Sequence, residues 1–107
     1  MYQEIPERDR KRVATVRWDG SRRDLWLGDL LVKQFRSPAA AQECILATFQ
    51  EDGWPPRIDD PLPCGKSVQL PQDRLRDVVR SLNRNQRQGR IRFSCDGTGQ
   101  GILWDVD

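Results

Sequence analysis

Apolar residues recur along the chain with two different periods, which divide it into short strands and two helices. Three stretches rich in apolar and β-branched residues, Val13 to Trp18, Leu25 to Leu27 and Leu30 to Phe35, are separated by turn sequences. They predict an antiparallel meander of three strands. Gly28 and Asp29 connect the last two strands, and a glycine in the first position of a two-residue turn suits type II′.

Helical spacing first appears after this meander. Ser37 and Pro38 predict a helix start, with the serine capping free amides and the proline in the first turn. The helix is expected to run from Pro38 to about Asp52 and to stop at Gly53. Its inward side is expected to carry the apolar residues Ala41, Ile45, Leu46 and Phe49.

A second helix is predicted over residues 71–86, opening at Pro71. Its apolar residues have the spacing i, i+3, i+4, i+7 and are Leu75, Val78, Val79 and Leu82. Arginines dominate the opposite side, and Arg76, Arg80 and Arg84 are spaced i, i+4, i+8, which predicts a single ridge. Like charges at this spacing repel by a few tenths of a kcal/mol per pair, so the ridge indicates a negatively charged partner.

The connector and the C-terminal segment complete the expected fold. Segment 54–71 holds five of the seven prolines and predicts a loop anchored by Trp54, with a short helical turn at 57–60. Alternation in Arg90 to Cys95 and Ile102 to Val106 predicts a closing hairpin around the turn DGTGQG. The predicted fold class is therefore α+β: an N-terminal antiparallel sheet, two helices and a C-terminal hairpin.

Length and composition favour one small intracellular domain. The 107 residues fit a single core, expected over residues 13–107, after a charged arm at residues 1–12 that lacks apolar periodicity. No apolar run approaches the roughly 18 residues of a membrane-spanning helix, and the N-terminus is too charged for a secretory signal. We therefore expect a cytoplasmic protein without a membrane partner.

The residues that usually carry catalysis or bind metals are scarce. The chain has no histidine, and its three cysteines, Cys44, Cys64 and Cys95, are widely spaced and are expected to be reduced. The acid pair Asp59 and Asp60 lies in the proline-rich loop, where nothing is expected to shift a pKa. The sequence predicts a protein that is not an enzyme and has neither a metal site nor a cofactor.

Charge is distributed unevenly, although the net charge is only +2. Residues 71–94 hold seven arginines and two acids, whereas residues 43–63 hold five acids and one arginine. A basic surface on such a domain predicts a polyanionic partner. Alternatively, the arginines form a solvated, salt-bridged face, because Asp73 and Asp77 are spaced to pair with them.

Two functions from different classes follow from this asymmetry. The first is binding of double-stranded DNA, with helix 71–86 in the major groove and hairpin 90–104 on the backbone. Its candidate DNA-binding residues are Arg74, Arg76, Arg80, Ser81, Arg84, Asn85, Arg87, Arg90 and Arg92. The second is a protein-interaction module that uses the acidic surface of residues 43–63. Trp26 lies beside Arg22 and Arg23 in the sequence and could stack on single-stranded bases. Simple packing of this ring against the protein is the stronger interpretation.

Two sequence stretches carry a resemblance to a known family. WDGSRRDLWLGDLLV is similar to the strand–turn–strand pattern, and RIRFSCDGTGQGILW to the wing with its Gly-x-Gly motif, of the winged-helix output domain of OmpR-class response regulators. The resemblance implies a transcriptional regulator with a recognition helix at Asp73 to Gln86 and a wing at Arg90 to Trp104. No receiver domain is expected upstream, Gln100 replaces the family's wing tyrosine, and the connector is rich in proline. The resemblance also suits a homodimer.

Overall fold

A computed structural model describes residues 16–63, 69–87 and 91–106. The arm at residues 1–12, the start of the first predicted strand at 13–15, Cys64 and Arg90 lie outside these ranges. The chain is α+β, as predicted, with two helices and two three-stranded antiparallel sheets in its described part. The elements, in order, are β1 (Val16–Asp19), β2 (Asp24–Leu27), β3 (Leu30–Gln34), α1 (Ala40–Glu51), β4 (Arg57–Asp59), α2 (Pro71–Asn83), β5 (Ile91–Cys95) and β6 (Gly101–Val106).

The first sheet is the predicted meander, in the order β1-β2-β3. Leu27 pairs with Leu30, so Gly28 and Asp29 form a two-residue turn. Gly28 has a φ of 58°, whereas Asp29 is not among the residues with positive φ. This is the pattern of a type II′ turn, in which only the first central residue needs a left-handed backbone.

A β-bulge in β3 changes which side chains face the core. Trp26 pairs with Leu31 but Leu25 pairs with Lys33, so Val32 is an extra residue in the strand. Val32 and Lys33 are both buried, although neighbouring residues of a regular strand point to opposite faces. The bulge therefore brings a lysine into the interior, where alternation predicts an exposed side chain.

Helix α1 begins two residues later than predicted. Ala39 is the residue before the helix, no side chain caps it, and neither Ser37 nor Pro38 takes part in the start. The Glu43 carboxylate accepts a hydrogen bond of 2.9 Å from the Ala39 N–H, which holds the residue before the helix but does not cap the amides of the first turn. The predicted apolar side is confirmed by Ile45, Leu46 and Phe49, which are completely buried.

The proline-rich connector contains a strand where the sequence predicts a helical turn. Residues 57–59 form β4, which pairs with β6 and places Ile58 in the core. The second sheet therefore has the order β4-β6-β5. Trp54 anchors the connector as predicted, stacking on Phe49 with ring centroids 5.0 Å apart and meeting Trp104 edge-on at 5.5 Å.

Helix α2 begins at Pro71 as predicted and ends at Asn83, three residues before the predicted end. The backbone of Arg84 is extended, and Asn85 has a φ of 59°, which turns the chain away from the helix axis. The amide of Arg87 then donates to Val32 O at 2.7 Å, so the segment after α2 is held against the first sheet.

One apolar cluster joins both sheets to both helices. Leu25 and Val32 contribute from the first sheet, Phe93 and Ile102 from the second, and Leu75 from α2, with exposures of 1% or less. Within the described ranges, no helix has the length and apolar character needed to cross a bilayer. The shared core fixes the arginine-bearing side of α2 outward.

Candidate nucleic-acid interface

The middle of α2 presents two arginines to solvent. The side chains of Arg76 and Arg80 are both 61% exposed. Each lies near the acid three residues before it, at 3.6 Å from Asp73 and 3.9 Å from Asp77, respectively. Contacts of this length between exposed groups contribute about 0–1 kcal/mol, so these acids leave both guanidinium groups available to another anion.

Two side-chain amides fasten the end of α2 to the free edge of β5. Asn83 donates to Phe93 O and accepts from Phe93 N–H, both at 2.8 Å. Gln86 makes the same pair of bonds to Ile91, donating at 2.6 Å and accepting at 3.2 Å. These amides take the place of a neighbouring strand, because they satisfy the backbone groups of alternate residues along the edge.

The other end of α2 meets the tip of the hairpin. A methyl group added at Gly99 would lie 3.0 Å from the side chain of Gln72, and the φ of 79° at Gly99 also favours glycine. Burial raises the pKa of the Cys95 thiol at the end of β5, and the positive charge of Arg76 partly opposes this effect. Gln72, in the first turn of α2, therefore packs against the tip of the hairpin.

The hairpin presents polar groups on its outward face. Ile91 and Phe93 are buried and Arg92 and Ser94 are exposed, as the alternation predicts. The helix and the hairpin, which are hydrogen-bonded to each other, together carry the exposed residues Arg76, Arg80 and Arg92.

The other predicted DNA-binding residues are distributed differently. Arg84 lies beyond the end of α2, so the three-arginine ridge expected from i, i+4, i+8 spacing is wrong at its last member. Ser81, Arg84 and Asn85 line a cleft that faces β3 and the start of α1. Arg74 donates to Pro63 O at 2.8 Å and holds the connector. Arg87 is exposed, and Arg90 lies outside the described residues.

Lys33 is a residue of this region that the sequence did not single out. Its ammonium group donates to the carbonyls of Ser81 at 2.6 Å and Arg84 at 2.9 Å. Longer hydrogen bonds lead to Gln42 Oε1 at 3.1 Å and to the carbonyl of Leu82 at 3.3 Å. Burial, and secondarily the charge of Arg84, lowers the pKa of Lys33 to about 8. Lys33 caps the last carbonyls of α2, which carry the negative end of the helix dipole.

The acidic residues Asp59 and Asp60 of the proline-rich connector bind other parts of the protein, which makes them less available to a protein partner. Asp60 accepts from the Leu62 N–H at 2.9 Å, and its own amide donates to Gln100 O. Asp59 is exposed and pairs with Arg57 at 2.8 Å. Arg57 also donates to Asp96 at 2.7 Å, which ties β4 to the hairpin turn.

Asp96 organises that turn. It accepts hydrogen bonds from the hydroxyl and amide of Thr98 at 2.6 and 2.9 Å, and these bonds, with the one from Arg57, lower the pKa of Asp96 to about 2. A side chain at Gly101 would overlap Asp96 and Arg57. The glycine-rich tip is therefore a tight turn supported by its own side chains.

The described residues contain no cluster of histidine, cysteine and acidic side chains suited to a metal ion. Cys44 and Cys95 are free thiols, each half-buried.

Trp26 is half-buried under Arg17, whose guanidinium carbon is 5.7 Å from the ring centre. The exposed cations of α2 and its C-terminal flank, Arg76, Arg80, Arg84 and Arg87, are therefore the candidate site. No family model, curated protein or solved structure matches this chain.

Proposed function

We propose that this chain binds double-stranded DNA and acts as a transcriptional regulator, with α2 in the major groove and the β5–β6 hairpin beside it as a wing. The order of its elements supports a winged-helix architecture: an N-terminal meander, a helix, a strand, an arginine-bearing helix and a closing hairpin. The strand β4 widens the wing into a three-stranded sheet. The described parts of the connector, 60–63 and 69–70, contain no helix to serve as the middle helix of a helix-turn-helix.

The observation that carries the proposal is the exposure of Arg76 and Arg80 on a helix whose other side is in the core. Guanidinium groups bind phosphate and the O6 and N7 atoms of guanine through paired hydrogen bonds. The acids one turn earlier are 3.6 and 3.9 Å away and exposed, so exchanging them for phosphate costs little. In the unbound protein, Asp73 and Asp77 orient the two arginines.

The attachment of α2 to the hairpin supports a shared binding surface. Asn83 and Gln86 fix one end of the helix to β5, and Gly99 packs against Gln72 at the other. A duplex that contacts Arg76 and Arg80 would therefore meet the hairpin in a fixed position. Preorganised positive groups of this kind reduce the entropic cost of binding.

Duplex binding measured over a range of salt concentrations tests the proposal. Affinity should fall steeply between about 50 and 200 mM salt, because each neutralised phosphate releases counterions. The double variant R76Q/R80Q should bind more weakly and lose about 1.8 from the slope of log K against log salt if both arginines contact phosphate, at about 0.9 for each contact. The control is R22Q, which removes an exposed charge from the β1–β2 turn of the other sheet.

The result also separates this function from the protein-interaction alternative. Binding that does not respond to salt, or an R76Q/R80Q variant that binds duplexes as tightly as the R22Q variant, would refute the assignment of DNA binding to α2. A selection of duplexes from a random pool then tests base readout. Contacts to base edges predict an enriched sequence, whereas contacts to phosphate alone predict none.

A further inference from the structure

An open cleft lies beside the C-terminal end of α2, on a different side from Arg76 and Arg80. It has a volume of about 410 Å³, which is within the range of small-ligand sites. Its walls come from the end of β3, the turn that leads to α1, and the residues that follow α2. The polar and charged side chains that line it include Lys33, Arg36, Ser37, Ser81, Arg84 and Asn85, and no acid is among its described lining residues.

Two of its cations make no side-chain hydrogen bond or ion pair with any described residue. Arg36 and Arg84 are exposed, and no acceptor among the described residues bonds to either guanidinium group. Two other arginines differ in this respect: Arg57 in β4 binds two carboxylates, and Arg74 in α2 binds a carbonyl. Two guanidinium groups that line one cleft favour an anion with several acceptor oxygens.

The surroundings add to the positive potential. The ammonium group of Lys33 lies in the same lining, and its nearness to Arg84 contributes to its lowered pKa. The first turn of α1 borders the cleft without a side-chain cap, so its amides add a partial positive charge. Glu43 is the acid nearest this turn; it binds the Ala39 N–H and offsets part of that potential.

We propose that this cleft is a binding site for a phosphate group, held between Arg36 and Arg84. The site goes beyond the DNA-binding surface proposed above and does not depend on it. Phosphate could reach the cleft as part of a duplex backbone or as a free phosphate-bearing ligand. Both sources present the same oxygens to the two guanidinium groups.

The test uses inorganic phosphate, followed by NMR on the whole chain at constant ionic strength with chloride as the reference anion. Phosphate should cause saturable shifts of the backbone signals of Arg36, Ser37 and Arg84. It should also raise the pKa of Lys33 above its value of about 8, because a bound anion favours the charged ammonium group. A response to chloride equal to that to phosphate, or no saturation, would overturn the proposal.

Matched variants assign the binding to the cleft. The double variant R36Q/R84Q should bind phosphate about tenfold more weakly or worse, a difference of about 1.4 kcal/mol. R17Q/R22Q removes the same number of exposed charges from the first sheet, outside the cleft lining, and should leave phosphate binding unchanged. Equal losses in both variants would indicate general attraction to a basic surface and refute a site at the cleft.

Measuring DNA-duplex binding by the same variants identifies the source of the phosphate. If a duplex backbone occupies the cleft, R36Q/R84Q should also reduce the salt slope of DNA binding by about 0.9 for one lost phosphate contact. If the slope is unchanged while phosphate binding is lost, the cleft serves a free ligand. Failure of duplex binding in the wild type with intact phosphate binding would refute the DNA proposal and keep the cleft.

Discussion

Replacing Asn83 by alanine tests how the arginine-bearing helix is fixed to the hairpin. The change removes both hydrogen bonds between the Asn83 amide and the backbone of Phe93, each 2.8 Å long. A neutral hydrogen bond contributes about 0.5–1.5 kcal/mol net, so the pair is worth about 1–3 kcal/mol. Alanine returns several tenths of a kcal/mol through its higher helix propensity. We expect a net loss of about 1–2 kcal/mol and, for a domain of this size, a Tm lower by roughly 5–10 °C.

Chemical denaturation gives the free energy of unfolding, and hydrogen exchange at the Phe93 amide reports on the bond itself. Protection of this amide should fall in N83A, whereas R80A, an exposed change one turn earlier, should alter stability by less than about 0.5 kcal/mol. In N83D, one carboxylate oxygen would face the Phe93 carbonyl, so stability should be recovered on protonation of the carboxylate. An N83A variant as stable as R80A, with the Phe93 amide still protected, would show that the two hydrogen bonds between Asn83 and Phe93 contribute nothing to stability.

Three further predictions concern protonation and backbone conformation. The pKa of Lys33, about 8, lies below the ordinary value of 10.5, so between pH 8 and 10.5 the unfolded chain binds more protons than the folded one. The free energy of unfolding should therefore rise from pH 8 to 10.5. K33M should remove this rise from a series of denaturation curves measured over that pH range. The pKa of Asp96, about 2, lies below 3.8, so stability should fall as the pH drops from about 4 to 2, and D96N should remove that component. G28A should lower the free energy of unfolding by about 1 kcal/mol or more, because the φ of Gly28 is 58°. G20A should cost less, because Gly20 has no positive φ and its added methyl group would meet Trp18 at 3.5 Å, an ordinary contact distance. Equal losses of stability in the two variants on thermal unfolding would contradict this reasoning.

Elements with a long apolar period were the ones that the sequence predicted well. Helix α2 shows an uninterrupted i, i+3, i+4, i+7 pattern, and its start at Pro71 agrees with the structure. The alternation that places Ile91 and Phe93 inward and Arg92 outward was also correct. In these elements, local pattern and tertiary burial favour the same conformation.

The features that the sequence missed depend on contacts between distant residues. β4 is three residues long with one buried side chain, Ile58, so it has no period to detect, and Ile58 pairs with Ile102, about 44 residues later in the chain. The end of α2 is set by Lys33 and by the edge of β5, neither of which propensity can reveal. The start of α1 also differs, because Ser37, which was expected to cap the helix, lies outside it and Ala39 is the N-cap residue without a side-chain cap.

The bulge in β3 makes the chain unequally tolerant of changes in length at one point. Deleting Val32 would restore a regular ladder with Lys33 still opposite Leu25, at the cost of one core side chain. Inserting a residue between Val32 and Lys33 would instead shift the phase of the strand, turn the lysine to solvent and bring Gln34 against the apolar layer. Related chains should therefore lose a residue here more readily than they gain one.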